Sequence, residues 1–170
     1  ENILISTGGS GGHVVPAKVL SDHLCKKNNT IISTDKRGLK FLDSKIYNCE
    51  IINTPRLSNF FLLPFNIILI IYLTFKSLIL LKKKQIIKIF SIGGYMSLPI
   101  ILAAKILKIN FYLIEPNQVL GRANKFFLNS CKKIFCYNDK IKNFPSNLKH
   151  KIVKINPLIR KEFYEIQEKS

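Results

Sequence analysis

NILISTGGSGGHVVP, residues 2–16, reads as a strand, a bare turn and the opening of a helix. Asn2–Ser6 is a short apolar run of the kind that fills a sheet covered on both faces. Gly8, Gly9, Gly11 and Gly12 in the turn tolerate backbone angles that side chains forbid, so a ligand can approach the chain closely. A helical stretch from about His13 to Lys27 follows. Pro16 falls in its first turn, where a missing N–H costs little.

Working outward, further apolar runs occur at Thr30–Thr34, Ile46–Ile52, Ile86–Ile92, Asn110–Ile114, Lys133–Tyr137 and Lys151–Ile155. Helical stretches separate several of them, at about Pro64–Lys84, Leu98–Leu107 and Gly121–Ser130. Strands alternating with helices predict βαβ units, so the expected fold is α/β: a Rossmann-like parallel sheet with helices on both faces. A second bare turn, Gly93-Gly94-Tyr95-Met96-Ser97, follows the strand ending at Ile92, and Glu115-Pro116-Asn117 follows the next one. Turns after parallel strands share one edge of the sheet, where ligands bind.

The first turn is not a Walker A loop, because no Lys-[Ser/Thr] follows its last glycine, and Val14 stands where a dinucleotide fingerprint needs a third glycine. What remains is a glycine backbone at a helix start, suited to a polar or anionic group. His13 has two readings. A neutral imidazole beside a sugar hydroxyl can act as general base, or the side chain only shapes the loop. His23 and His150 have no partner pattern, and no His or Cys pair has ligand spacing, so neither a metal site nor a cofactor is expected.

Lys+Arg is 27 against 10 Asp+Glu, a net charge of +17, with a hydrophobic fraction of 47%. That much apolar residue excludes a disordered basic tail. Only Arg37, Arg56, Arg122 and Arg160 are arginine, and a nucleic-acid surface would more often use its bidentate fork. An anionic membrane or a phosphorylated substrate is the better expectation, with no nucleic-acid partner. The cysteines Cys25, Cys49, Cys131 and Cys136 lack a disulfide or C-x-x-C framework, which predicts a reducing cytosolic setting. No charged leader precedes Asn2, so no secretory signal is expected.

Phe60–Leu81 (FFLLPFNIILIIYLTFKSLILL) is long enough to cross a bilayer. Pro64, Asn66, Thr74, Lys76 and Ser77 interrupt it; on a helix Asn66, Thr74 and Ser77 fall within about 80° of one another, a thin polar stripe. Three readings stand: a buried crossover helix, a helix partly dipped into a membrane interface, and a true span. A span between two cytosolic strands would split the sheet across the bilayer. Phe60, Phe61, Leu62, Phe65, Ile68, Tyr72 and Phe75 are the candidate lipid-facing residues, with Lys82, Lys83 and Lys84 beside anionic headgroups.

Residues 8–16 (GGSGGHVVP), 93–99 (GGYMSLP), Glu115-Pro116-Asn117 with Gly121 and Asn124-Lys125, and Asn156-Pro157 resemble, in order and along the whole chain, the MurG family of bacterial peptidoglycan N-acetylglucosaminyltransferases. The resemblance implies the N-terminal half of a two-domain GT-B fold. It implies transfer of GlcNAc from UDP-GlcNAc to undecaprenyl-diphosphate-linked N-acetylmuramoyl-pentapeptide (lipid I to lipid II), with this half holding the acceptor. It further implies His13 as the suspected base, and substrate contacts from Ser10, Gly11, Gly12, Gly93, Gly94, Tyr95, Glu115, Asn117 and Arg160. Phe60–Lys84 takes the place of the family's membrane-associating patch, giving a peripheral protein on the cytoplasmic side of the inner membrane. The chain departs from the family at Ile114 and Pro116, where His and Gln are usual, at Ile155 for Gly, and at Ile159, an extra residue before Arg160. Residues 1–157 then form the acceptor domain and 158–170 begin an interdomain linker, the donor domain lying in the same or a separate chain. Such a half alone is expected to be inactive. A competing expectation is a membrane-anchored scaffold that recruits a separate catalytic donor domain.

Overall fold

A computed structural model describes residues 1–55, 62–138 and 140–158. Seven strands, β1 (Asn2–Ser6), β2 (Asn29–Thr34), β3 (Cys49–Ile51), β4 (Lys88–Ser91), β5 (Asn110–Glu115), β6 (Ile134–Cys136) and β7 (Ile152–Lys154), form one sheet in the order β3-β2-β1-β4-β5-β6-β7, every neighbouring pair parallel. The order reverses between β1 and β4, the switch point at which such sheets open a crevice. Ser6 pairs in register with Ser33 on one side and Ser91 on the other, so β1, β2 and β4 end level at that rim.

Alternation along the strands sorts the core into two layers. Leu4, Ile31, Ile89, Phe111, Leu113 and Ile134 face α3 (Leu63–Lys83), α4 (Leu98–Ile106) and α5 (Arg122–Phe127). Ile5, Ile92 and Ile114 face the other way, against Ala17, Leu20 and Leu24 of α1 (Gly11–Leu24). Helices therefore cover both faces, as expected. α1 starts two residues before His13, because Gly11 and Gly12 take helical angles behind an extended Ser10 whose carbonyl accepts the His13 and Val14 N–H groups. The expected strands around β3, β6 and β7 shrink to three residues each. A four-residue helix, α2 (Lys36–Leu39), was not foreseen; Asp35 caps it by accepting the Gly38 N–H.

α3 is apolar on both its inner and its outer face. Its buried positions are Asn66, Ile70, Leu73, Ser77 and Leu81, so two of the polar residues face the protein. Ser77 is completely buried, and its hydroxyl, like that of Thr74, bonds back to the carbonyl four residues earlier. The apolar residues point outward: Phe65 is 67% exposed, Ile68 65% and Phe75 64%, with Leu62, Ile71, Tyr72 and Ile79 beside them. The segment is thus a crossover helix buried on one face only. α3 is also long and apolar enough to cross a membrane. Its outer stripe, about 80° wide from Phe75 through Ile68, Ile79 and Tyr72 to Phe65, ends near exposed Lys82 and Lys83.

Candidate functional site

The turns after β1 and β4 lie side by side at the switch point. Gly9, Gly93 and Gly94 have φ of 83°, 73° and 81°, in the region L side chains avoid. A Cβ on Gly9 would lie 2.7 Å from the Met96 methyl, so the two turns are packed against each other. Between them and the α5 start lies a cavity of about 650 Å³, lined among others by His13, Gly94, Tyr95, Glu115, Asn117 and Phe126. A mostly apolar hollow with a few convergent polar groups is the usual form of a small-molecule site. His13 is half-buried, its Nδ1 3.8 Å from where a Gly94 Cβ would stand, and its carbonyl accepts the Thr7 hydroxyl at 2.8 Å.

Glu115 ends β5 and is only 2% exposed. Its Oε1 accepts the Asn117 N–H at 3.2 Å and the Asn117 side-chain amide at 3.0 Å; its Oε2 accepts the Gly121 N–H at 2.8 Å and the Asn124 amide at 3.0 Å. Four donors on one carboxylate fold the 115–124 loop into a fixed wall of the cavity. Asn124, equally buried, also donates to the Ile114 carbonyl, while its Oδ1 has no hydrogen-bond partner among the described residues. Nearby, burial pushes the Cys136 thiol up to about 12, with the Glu115 charge adding to it, so this cysteine is no nucleophile.

A third turn joins the rim from β2. Asp35 Oδ1 accepts the Gly9 N–H at 3.0 Å and the Gly38 N–H at 2.8 Å, and its Oδ2 accepts Arg37 Nε at 2.9 Å. Burial alone would push the Asp35 carboxyl up, but these N–H groups and the guanidinium outweigh it and hold it below the ordinary carboxylate range. Arg37 Nη2 in turn donates to the Tyr95 hydroxyl.

The structure thus brings His13, Gly93, Gly94, Tyr95, Glu115 and Asn117 together around one hollow. Ser10, Gly11 and Gly12 are on the same rim but outside the cavity lining; Ser10 and Gly12 are exposed and Gly11 packs near Phe41. Arg160, Phe60 and Phe61 lie outside the described residues. No group of three or more potential metal-ligating side chains occurs among the described residues. Sequence reading missed Asp35 and Arg37. The available signal was position: Thr34-Asp35 ends a strand, so both belong at the edge that carries the glycine turns.

A model of the glycosyltransferase family 28 N-terminal domain matches residues 3–136. The UDP-N-acetylglucosamine–N-acetylmuramyl-(pentapeptide) pyrophosphoryl-undecaprenol N-acetylglucosamine transferase of Pelagibacter ubique is 50% identical over 165 residues, covering 96% of this chain and 46% of the relative. The enzyme of the same name from Rickettsia prowazekii is 37% identical over 171 residues, 98% of this chain and 43% of its own. Among solved structures, MurG of Acinetobacter baumannii superposes with a TM-score of 0.77 at 22% identity, over 99% of this chain and 49% of that one. A UDP-GlcNAc 2-epimerase from Neisseria meningitidis, bound to UDP-GlcNAc, gives 0.68 at 12% identity, over 99% and 49%. The two structures share the fold. The chain spans about half the length of the curated relatives it matches.

Proposed function

The chain belongs to glycosyltransferase family 28, through that family's N-terminal domain, and from this premise we propose that it is the acceptor-side half of a GT-B transferase. The reaction moves GlcNAc from UDP-GlcNAc to undecaprenyl-diphosphate-linked N-acetylmuramoyl-pentapeptide, lipid I to lipid II, in peptidoglycan synthesis. The observation that carries this reading is the meeting of the second glycine turn, Gly93-Gly94-Tyr95, with His13, Glu115 and Asn117 at one hollow of the switch point, in a chain 50% identical to a relative of that name.

In this reading the muramoyl sugar enters the hollow, His13 accepts the proton of its attacking hydroxyl, and the N–H groups of the glycine turns face the diphosphate. Asn117 contacts a sugar, its amide oriented by Glu115. Ser10, Gly11 and Gly12 lie toward the donor, whose uridine is held by a C-terminal domain following residues 158–170, and the family resemblance assigns Arg160 a substrate contact. The outward stripe of α3, with Lys82–Lys84 at its end, docks this half on the cytoplasmic face of the inner membrane as a peripheral protein. Exposure of Phe65, Ile68 and Phe75 supports docking.

The test is a chimera joining this chain to the C-terminal half of the Pelagibacter ubique relative, assayed for GlcNAc transfer from labelled UDP-GlcNAc. Transfer is expected from the chimera and not from the chain alone, and His13→Ala should lower turnover by roughly 10²–10⁴. A folded chimera that binds donor yet transfers nothing to lipid I overturns the acceptor assignment. Near-normal turnover in the His13 variant leaves that residue a loop-shaping role.

A further inference from the structure

The three turns of the rim are joined by one side-chain strut. Asp35, at the end of β2, holds Gly9 of the first glycine turn through Oδ1 and Arg37 through Oδ2. Arg37 crosses to the second glycine turn, donating to the Tyr95 hydroxyl, with Met96 Sδ 3.8 Å away. The same guanidinium lies 3.7 Å from where a Gly9 Cβ would be, so it touches both turns. Tyr95 lines the cavity, whereas Arg37 does not. Its guanidinium is shared between the two turns, behind the wall that Tyr95 forms.

We propose that Arg37 is a positioning residue: by holding Tyr95 directly and Gly9 through Asp35, it fixes the second glycine turn against the first and so the place of Tyr95 in the wall of the cavity that admits the acceptor. The inference rests on reading the cavity as the acceptor site. The chemistry requires arginine. Its planar fork presents Nε to a carboxylate and Nη2 to a phenol at once, in a fixed geometry that a lysine ammonium cannot reproduce. Asp35 is the matching anchor because its buried carboxylate accepts Nε at 2.9 Å and so holds one edge of the part-exposed guanidinium.

Two measurements test this on the chain itself. In the first, protein labelled with 3-fluorotyrosine, its Tyr95 resonance assigned with Tyr95→Phe, is compared with Arg37→Gln and Arg37→Lys without ligand. Both variants should shift and broaden the Tyr95 line while the other tyrosine lines stay put; an unmoved Tyr95 line overturns the strut whatever the cavity binds. In the second, affinity for a short-chain polyprenyl-diphosphate-linked N-acetylmuramoyl-pentapeptide is measured. Arg37→Gln should weaken it about tenfold in a protein with unchanged far-UV signal, and should add nothing in a Tyr95→Phe background. Wild-type affinity in Arg37→Gln, or losses that add in the double variant, overturns the positioning role. Wild-type protein that fails to bind this probe overturns the acceptor reading instead, and the fluorine lines still decide the strut.

Discussion

At the scale of single residues, the site is held by carboxylates whose oxygens are taken up by neighbouring donors. Glu115 looks from the sequence like candidate chemistry and Asp35 does not, yet both are consumed by donors: Glu115 by those of its own loop, Asp35 by Gly38 beside it and Gly9 of the first glycine turn. Asp35 carries a pH signature. Its folded pKa is lowered, so its stabilisation is complete above the ordinary Asp value of about 3.9 and drains as pH falls through the lower folded value. Urea unfolding of wild type and Asp35→Asn across pH 2–7 should therefore show a constant stability gap near neutrality that narrows below about pH 4. A gap that stays constant to pH 2 would mean the charge contributes nothing. Glu115 was legible as a polar group at the right edge, from its place after an apolar run. Its four donors were not, because Gly121 and Asn124 reach it only after the loop closes on itself.

At the scale of elements, α3 turns an apolar stripe outward. A periodicity argument puts polar residues outside and apolar ones inside, yet α3 buries Asn66 and Ser77 beside Ile70, Leu73 and Leu81 and leaves the Phe65–Ile79 stripe outside. The sequence showed the stripe but not its direction, since a wheel has no inside until a neighbour is present. That neighbour is α4, whose small buried Ala103 and Ala104 leave room for close approach. The two faces should respond oppositely. Ile68→Ser with Phe75→Ser should cut sedimentation with anionic vesicles about tenfold or more, with each exposed change altering stability by about 0.5 kcal/mol or less. Ser77→Leu should overpack the buried face and cost about 1–3 kcal/mol, with vesicle binding retained in the folded fraction. Loss of vesicle binding in Ser77→Leu alone would assign the lipid face wrongly. Retention in the membrane pellet after alkaline carbonate would make α3 a span.

At the scale of the whole molecule, one parallel sheet with a layer on each face makes thiol reactivity a probe of global opening. Cys25 is exposed, Cys49 half-buried, and Cys131 and Cys136 buried, burial raising both of the latter thiols. In native protein at pH 8 a thiol reagent should modify Cys25 at once and spare Cys131 and Cys136, which should react together at the denaturant midpoint of the far-UV transition. Early, separate reaction of Cys136 would show β6 opening independently of the sheet. The linear sequence by itself determined the alternation of strands and helices, the parallel sheet and the shared edge of the glycine turns, because apolar periodicity and glycine act locally and chain direction fixes which strand ends are level. Only the tertiary structure decided which face of α3 meets the protein, that Asp35 and Arg37 brace the crevice, and that Glu115 is spent on its loop. Those outcomes depend on which side chains distant in sequence become neighbours, and a one-dimensional pattern carries no such distances.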